Sequence, residues 1–315
     1  MANCNAEFLT FLDTIKLSKN KVSYLRRSRD AIRERIINYY KEKELVQPEF
    51  CGQGSFKVKT GINQSDEDYD IDDGVYLKHL PEKKEDWPKT ETVHKEIYEA
   101  VNGHTDTPPE DKKSCIRVQY KREYHVDLAI YVEKDSKIYL ARNGTDQWEE
   151  NSPKLFTAWF YEKLDMHGEQ FRSVCKYIKK WSYNKGWVDS ISGFLITILT
   201  GDHFYGSLAR DDIALSETLK RIVSYLEFNR TIIRPVEPKK EMTESLSDKD
   251  MDTMIRRLKG FRDSAEKSVS IEDKEEAQNI WRQLFGEDFP KNNDNQDNYF
   301  SKIYTIKKEN KPWGN

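Results

Sequence analysis

The chain has 315 residues, of which 37% are hydrophobic and 34% charged, and its formal net charge at pH 7 is −3. This length can bury a sizeable core and is typical of one large domain or two closely packed domains. The slightly acidic balance argues against a permanent electrostatic grip on long nucleic acid, which usually needs a basic excess on one face.

The cysteines and the apolar runs exclude two further classes of protein. Cys4, Cys51, Cys115 and Cys175 are widely scattered and lack the spacing of a zinc site, so we expect reduced thiols. No signal-peptide pattern opens the chain, and no apolar run approaches the length of a membrane span. We therefore expect a cytoplasmic protein without membrane contact.

The N-terminal pattern predicts one long amphipathic helix over residues 8–45. Apolar side chains recur in it at helical spacing, with arginines interleaved, at Leu25, Ile32, Ile36 and Tyr40. We expect this helix to be a scaffold that packs along the rest of the fold. The alternative is that its basic side contacts a ligand.

A Gly-Ser turn and an acidic strand follow. Residues 69–77 form an apolar run that contains Asp70 and Asp72, and alternation along a strand puts both carboxylates on one face. Like charges this close repel unless a cation lies between them, and Mg²⁺ prefers such oxygen ligands. Upstream, Gly54 allows close approach of the backbone to a phosphate, and Ser55 can donate a hydrogen bond to it.

Further elements are predicted as a helix over residues 91–101, an exposed loop over 103–113 and strands over 114–120, 124–131 and 138–141. In the second of these strands Asp127 lies beside His125 among apolar neighbours. A carboxylate there is costly to bury unless it is paired or metal-bound, which predicts Asp127 as third metal ligand and general base. The alternative is a salt bridge to an arginine, and His125 is interpreted as a packed structural residue.

After residue 150 the pattern becomes mainly helical. Ser152 can cap a helix that has Pro153 at its first position, and a second capped helix begins near Ser247. Helices are predicted over residues 155–164, 169–183, 190–199, 212–230 and 271–285. We predict a core of residues 1–150, a helical lobe of 151–290 that closes a cleft, and a polar tail of 291–315.

Two features of this helical part suit a nucleotide. One helix carries Lys176, Lys179 and Lys180 beside aromatic residues, and the next one opens near Ser192, where free backbone N–H groups can receive phosphate oxygens. Lys179 would offset triphosphate charge and Ser192 would donate a hydrogen bond. Lys176 and Lys180 remain alternatives for the lysine contact.

Together these motifs resemble the cGAS/DncV-like nucleotidyltransferases, which include the bacterial CD-NTases of the CBASS anti-phage systems. The resemblance rests on Gln53-Gly54-Ser55-Phe56, on the strand from Asp70 to Leu77, on Tyr124-His125-Val126-Asp127 and on the segment from Lys179 to Ser192. It implies an α+β fold of the polymerase-β-like class, with a mixed twisted sheet, a long N-terminal spine helix and a helical C-terminal lobe.

The resemblance also implies synthesis of a cyclic di- or trinucleotide second messenger from ATP, GTP or pyrimidine nucleoside triphosphates. Asp70, Asp72 and Asp127 would bind two Mg²⁺ ions, with Mn²⁺ as the alternative metal. Gly54, Ser55, Lys179 and Ser192 would hold the triphosphate, and Gln53 would lie beside a nucleotide. It further implies CBASS accessory proteins and conjugation of the C-terminus as partners. No segment resembles the zinc-binding insertion of the animal DNA sensors, so stable binding of double-stranded DNA is not expected.

Two kinds of alternative remain open at this stage. One is a nucleotidyltransferase that makes a linear oligonucleotide or modifies a protein or small molecule. The other is a catalytically silent nucleotide-binding module. The geometry of the cleft determines which bases are joined, whether the linkage is 2′-5′ or 3′-5′, and the size of the ring. Sequence patterns do not predict that geometry.

Overall fold

The computed structural model describes residues 1–63, 69–120, 124–187 and 191–291. The predicted helix start at Ser190 and the predicted tail from residue 292 onward lie outside these ranges. The helices are α1 (Asn5–Ile15), α2 (Lys19–Glu42), α3 (Gly54–Lys57), α4 (Thr90–Val101), α5 (Pro153–His167), α6 (Glu169–Asn184), α7 (Gly193–His203), α8 (Asp211–Phe228), α9 (Asp248–Ser270) and α10 (Lys274–Phe285). Short 3₁₀ turns lie at Lys84–Asp86 and Gly286–Asp288.

One mixed sheet forms the centre of the N-terminal half. Its strands are β1 (Glu49–Gly52), β2 (Tyr69–Leu77), β3 (Glu110–Asp111), β4 (Ile116–Tyr120), β5 (Tyr124–Lys134), β6 (Lys137–Arg142) and β7 (Gln147–Glu150). They pair in the order β1-β2-β5-β4-β3, while β6 pairs with β5 and β7 with β6. The β2–β5 pair is parallel and the other pairs are antiparallel. This confirms the α+β architecture with a mixed sheet.

The single N-terminal helix predicted over residues 8–45 is wrong, because the chain breaks between α1 and α2. Lys16 leaves the helix in extended conformation and forms an isolated bridge with Ile62. Ser18 then caps α2 by accepting a hydrogen bond from the Lys21 backbone N–H at 3.2 Å. Apolar periodicity continues through such a break, so periodicity alone did not reveal it.

The two N-terminal helices pack into different cores. Phe8 and Phe11 of α1 are fully buried among the helices that follow residue 153, against Tyr177 and Phe285. The apolar side of α2 packs instead on the sheet, together with α4. The helix that begins the chain therefore contributes to the core of the C-terminal half, while the division near residue 150 stays a prediction.

The arginines of α2 serve the scaffold. Arg33 donates from Nε and Nη2 to both carboxylate oxygens of Asp73, a fully buried residue on the helix-covered face of β2. Arg35 donates to the carbonyls of Ala100 and Asn102 at the end of α4. These contacts confirm the scaffold interpretation for both side chains.

Capping residues and strand alternation predicted some element boundaries correctly and missed others. The capping box of Ser247 and Asp250 opens α9 as predicted. Pro153 does begin α5, but the Ser152 side chain makes no capping hydrogen bond. The short strands β1, β3 and β7 were not predicted, because two to four residues give too little alternation to detect.

The remaining composition-based expectations concern thiols and membranes. Cys4, Cys115 and Cys175 are buried free thiols, and Cys51 is a half-buried one, which agrees with the expectation. Within the described ranges, no helix has both the length and the apolar character that a bilayer crossing requires.

The Arg33–Asp73 pair gives a stability prediction. We expect Arg33→Ala to lower the free energy of unfolding by about 3–5 kcal/mol, because it leaves the buried Asp73 carboxylate without its cation. Arg26→Ala, an exposed change on the same helix, should alter it by less than about 0.5 kcal/mol. Urea unfolding measures both, and equal stabilities of the two variants would contradict a structural role for the pair.

Candidate active site

The register of β2 and β5 brings the predicted carboxylates together. Asp72 lies directly opposite Asp127 across this parallel pair, and Asp70 lies opposite His125. Paired residues of neighbouring strands project from the same face of a sheet, so all three aspartates share one face. Arg117 of β4 is the register partner of Asp127 on its other side. The three acidic residues that sequence analysis singled out therefore converge.

Two of these carboxylates are held by cationic side chains of the chain itself. Arg117 donates from Nε and Nη2 to the two oxygens of Asp127, each at 2.7 Å. Nε2 of His125 contacts the Asp70 carboxylate. The salt bridge between Asp127 and an arginine, which was the alternative, is thus present, and the three aspartates also share one face of the sheet. In this arrangement, no three acidic, histidine or cysteine side chains of the described residues form a metal-binding group.

The electrostatics of the trio are uneven. Burial, together with the charges of Asp70 and Asp127, raises the pKa of Asp72 to about 7. Burial also raises the pKa of Asp70, but the hydrogen bond and charge of His125 outweigh it, so the net shift is downward. Burial lowers the pKa of His125, and its contact with Asp70 more than reverses this. Asp72 is therefore the carboxylate whose charge lacks compensation.

By its chemistry, though not by the present spacing of its oxygens, this donor set suits a divalent cation. Three carboxylates on one sheet face supply hard oxygen ligands of the kind that Mg²⁺ binds. Burial first, and the charges of Asp70 and Asp127 second, raise the pKa of Asp72, and a bound cation would offset both effects.

The Gly-Ser turn lies against the same carboxylate. Gly54 has a positive φ of 64°, and a Cβ atom added there would come within 1.8 Å of Oδ2 of Asp72. The neighbouring Gln53 backbone N–H donates to the Asp72 carbonyl at 3.0 Å. Only glycine fits this close approach, which fixes the turn against the acidic strand.

The structure separates the three lysines of α6. Nζ of Lys179 donates to Oγ1 of Thr60 at 2.8 Å, and Lys179 lines the cleft in front of the aspartates. Burial lowers its pKa to about 8. Lys180 forms an ion pair with Asp288 at 2.8 Å, and Lys176 lies outside the cleft lining.

Ser192 has a local structural role. Its Oγ accepts the backbone N–H of Leu195 at 3.2 Å and so caps α7. Its side chain does not line the cleft, whereas the following Gly193 does and lies against Lys179. The phosphate contact of Ser192 remains a prediction. The structure does place the N-terminus of α7 near Lys179.

A cleft of about 710 Å³ between the sheet and the helices is lined by Gly54, Ser55, Asp70, Asp72, Lys179 and Gly193. Sequence analysis missed several of its polar lining residues, namely Thr60, Tyr131, Arg142, Glu149, Asn151, Arg234 and Lys240. It also missed Arg117, the partner of Asp127. None of them belongs to a short motif, and only the strand alternation that places Tyr131 on the face of Asp127 could have indicated one of them.

Comparison with known proteins matches this region to a family. Residues 48–131 match the family model described as "Cyclic GMP-AMP synthase DncV-like, nucleotidyltransferase domain". This stretch contains the Gly-Ser turn and all three aspartates.

Curated relatives match over a longer stretch. A cyclic GMP-AMP synthase of Vibrio cholerae serotype O1 is 27% identical, with 60% of this chain and 55% of that protein covered. A cyclic GMP-AMP synthase of Escherichia coli is 26% identical, with 70% and 63% covered. The chain thus spans less than two thirds of the length of these relatives.

Solved structures share the fold over nearly the whole chain. A mutant of the Vibrio cholerae di-nucleotide cyclase DncV in complex with ATP, GTP and 5MTHFGLU2 superposes with a TM-score of 0.78 at 16% identity, covering 94% of this chain and 98% of that one. CdnC of E. coli MS115-1 with ATP gives 0.71 at 15%, covering 92% and 99%. These likenesses confirm the predicted fold class. By its matched domain, its relatives and its fold, the chain is similar to the cGAS/DncV-like nucleotidyltransferases.

Proposed function

We propose that this chain joins nucleoside triphosphates into a cyclic di- or trinucleotide and releases pyrophosphate. The observation that carries the proposal is the parallel β2–β5 register, which gathers Asp70, Asp72 and Asp127 on one sheet face. Asp70 and Asp72 line a cleft large enough for nucleotides. The names of the curated relatives, all cyclic GMP-AMP synthases, support the same reaction class.

In the proposed reaction a ribose hydroxyl oxygen of one nucleotide bonds to the α-phosphorus of another. The bond between the α-phosphorus and the bridging oxygen breaks, pyrophosphate leaves, and the hydroxyl proton passes to a carboxylate, for which we propose Asp127. A second transfer of the same kind within the linear intermediate closes the ring. Catalysis of this type consists mainly of positioning and of neutralising charge.

The residues of the cleft divide these tasks. Asp70, Asp72 and Asp127 would hold two Mg²⁺ ions, or Mn²⁺ in their place, which lower the pKa of the attacking hydroxyl and neutralise the leaving group. The backbone N–H groups that follow Gln53 and Gly54, with the Ser55 hydroxyl, would donate to the triphosphate. From the opposite wall, Lys179 and the N-terminus of α7 at Ser192 would donate hydrogen bonds to the same triphosphate. Gln53 would lie beside a nucleotide.

The wider role follows from the family. We propose that the substrates are ATP, GTP or pyrimidine nucleoside triphosphates and that the product serves bacterial anti-phage defence in the cytoplasm. The solved complex of E. coli MS115-1 CdnC with HORMA-deltaN supports CBASS accessory proteins as partners. Conjugation through the C-terminal tail is a further part of this proposal.

One observation favours a second candidate function. Arg117 and His125 already occupy Asp127 and Asp70, which would suit a silent nucleotide-binding module that never loads metal. Incubation with all four labelled nucleoside triphosphates and Mg²⁺ or Mn²⁺ decides between them. A phosphatase-resistant product identified by mass spectrometry supports the synthase, whereas binding without pyrophosphate release supports the module.

Asp72 gives the sharpest test of the site. We expect Asp72→Asn to lower pyrophosphate release at least about 100-fold, because it removes an anionic ligand worth several kcal/mol in the transition state. Asp263→Asn, an exposed change on α9, should leave the rate unchanged. Near-normal product from the Asp72 variant would contradict the assigned site.

The shifted pKa of Asp72 predicts a pH-dependent effect of metal on stability. Its folded value of about 7 lies above the value of about 3.9 in an unfolded chain, so the stability it contributes is present below pH 4 and lost as pH rises through 7. A divalent cation binds only the ionised form and offsets this loss. We therefore expect Mg²⁺ to raise Tm more at pH 8 than at pH 5.5, with the difference reduced in Asp72→Asn. Equal increments at both pH values would contradict the expectation.

The lysine assignment can be tested with matched variants on one helix. We expect Lys179→Gln to weaken nucleoside triphosphate binding about 10-fold, because a charged hydrogen-bond donor to phosphate is lost. Lys176→Gln should change the affinity less than about twofold, since Lys176 does not line the cleft. Equilibrium binding of a labelled triphosphate measures both, and equal losses in the two variants would contradict the choice of Lys179.

A further inference from the structure

A second cationic group lies in the cleft wall beside Tyr131. Arg234 follows α8 and is only 7% exposed, and its backbone N–H donates to the Lys240 carbonyl at 2.8 Å. Its Nη1 donates to Oδ1 of Asn151 at 3.1 Å. These contacts hold the guanidinium in the cleft wall beside Tyr131.

Among the residues that the structure describes, the charge of Arg234 has no counter-ion. Within the described part of the chain no carboxylate lies within ion-pair distance of it, and its buried Nε has no hydrogen-bond partner. The other basic groups of this wall differ, because Arg142 and Lys240 both contact the carboxylate of Glu149. Burying an unpaired guanidinium is costly, so its presence in a cleft wall indicates that a ligand supplies the partner.

The Nε and Nη2 donors of this guanidinium indicate which acceptor atoms the ligand must have. Elsewhere in the chain Arg33, Arg117 and Arg210 use Nε and Nη2 together to hold both oxygens of a carboxylate. In Arg234 the Asn151 contact engages Nη1 and leaves this same two-donor edge without a partner in the described structure. Such a fork matches two neighbouring acceptor atoms in one plane.

The position of Arg234 favours a base over a phosphate. The proposed phosphate contacts are Gly54, Ser55 and Lys179, whereas Arg234 lies beside Tyr131, four residues or about 13 Å along β5 from Asp127. Gln53 spans the two regions, because its Nε2 donates to the Tyr131 hydroxyl at 3.2 Å. Its buried Oε1 has no partner among the described residues and is available to a donor on the ligand.

Guanine presents two adjacent acceptors, O6 and N7, on one edge, together with donors elsewhere on the ring, whereas cytosine presents such a pair only as O2 and N3, beside its glycosidic nitrogen. Adenine replaces O6 with an amino donor, which the fork would repel. We propose that Arg234, positioned by Asn151, selects a guanine nucleotide by donating from Nε and Nη2 to its O6 and N7 atoms. This inference rests on the proposed function, since it assigns one substrate of the same cleft.

The first test needs no substitution. Binding of 2′,3′-dideoxy nucleoside triphosphates is measured with the full chain and Mg²⁺, because they lack the attacking hydroxyl and cannot be joined. We expect ddGTP and ddITP, which share O6 and N7, to bind about 10- to 100-fold more tightly than ddATP and 7-deaza-ddGTP. Equal affinity for ddGTP and 7-deaza-ddGTP would overturn the proposal.

The second test uses Arg234→Lys, which keeps the charge and loses the fork. We expect it to weaken ddGTP binding about 10-fold and to leave ddATP binding within about twofold. Lys240→Gln is the matched control, a basic residue of the same wall that is paired with Glu149, and it should preserve the preference. An equal loss for both nucleotides in Arg234→Lys would place the fork on a phosphate and overturn the base assignment.

These outcomes separate the inference from the proposed function. A guanine preference that depends on Arg234, without any pyrophosphate release from unmodified triphosphates, would sustain the inference and refute the synthase. A cyclic product formed with the same base composition by Arg234→Lys and by the unaltered chain would refute the inference and sustain the synthase.

Discussion

The parallel pairing of β2 with β5 is the constraint on which the site depends. It puts Asp72 opposite Asp127 on a half-buried face, where water solvates each carboxylate only in part. The other face of the same two strands is apolar and is covered by α2 and α4, so a register shift would expose a core. Burial on one side of the sheet therefore enforces a concentration of negative charge on the other.

The chain compensates most of this charge with its own cations. Arg117 and His125 act on the cleft side, and Arg33 neutralises Asp73 on the helix-covered side. Asp72, between them, keeps a crowded carboxylate, and Gly54 lies directly against it. Among the described residues, Asp72 and Arg234 thus each lack an ion-pair partner in one cleft. Under the proposed function, a metal ion and a nucleotide would supply these partners.

The acidic part of the site could be predicted because its signals are local. Asp70 and Asp72 are two residues apart, and Asp127 sits alone in an apolar strand, so alternation identified all three. Arg117 could not be predicted, since its pairing with Asp127 depends on the register of β4 against β5. Lys176, Lys179 and Lys180 share one helix, and only the packing of that helix directs one of them to the cleft and ties another to Asp288.

The sequence by itself determined the longer strands, most of the helices and the residues able to carry metal-dependent chemistry, because periodicity, capping and side-chain chemistry act over a few residues. Tertiary structure alone decided the break after Ile15, the short strands, the partners of the aspartates and the position of Arg234 in the cleft wall. Each of these depends on contacts between segments far apart in the chain, as when Arg234 meets Asn151. Burial and register are properties of such contacts, and no local pattern encodes them.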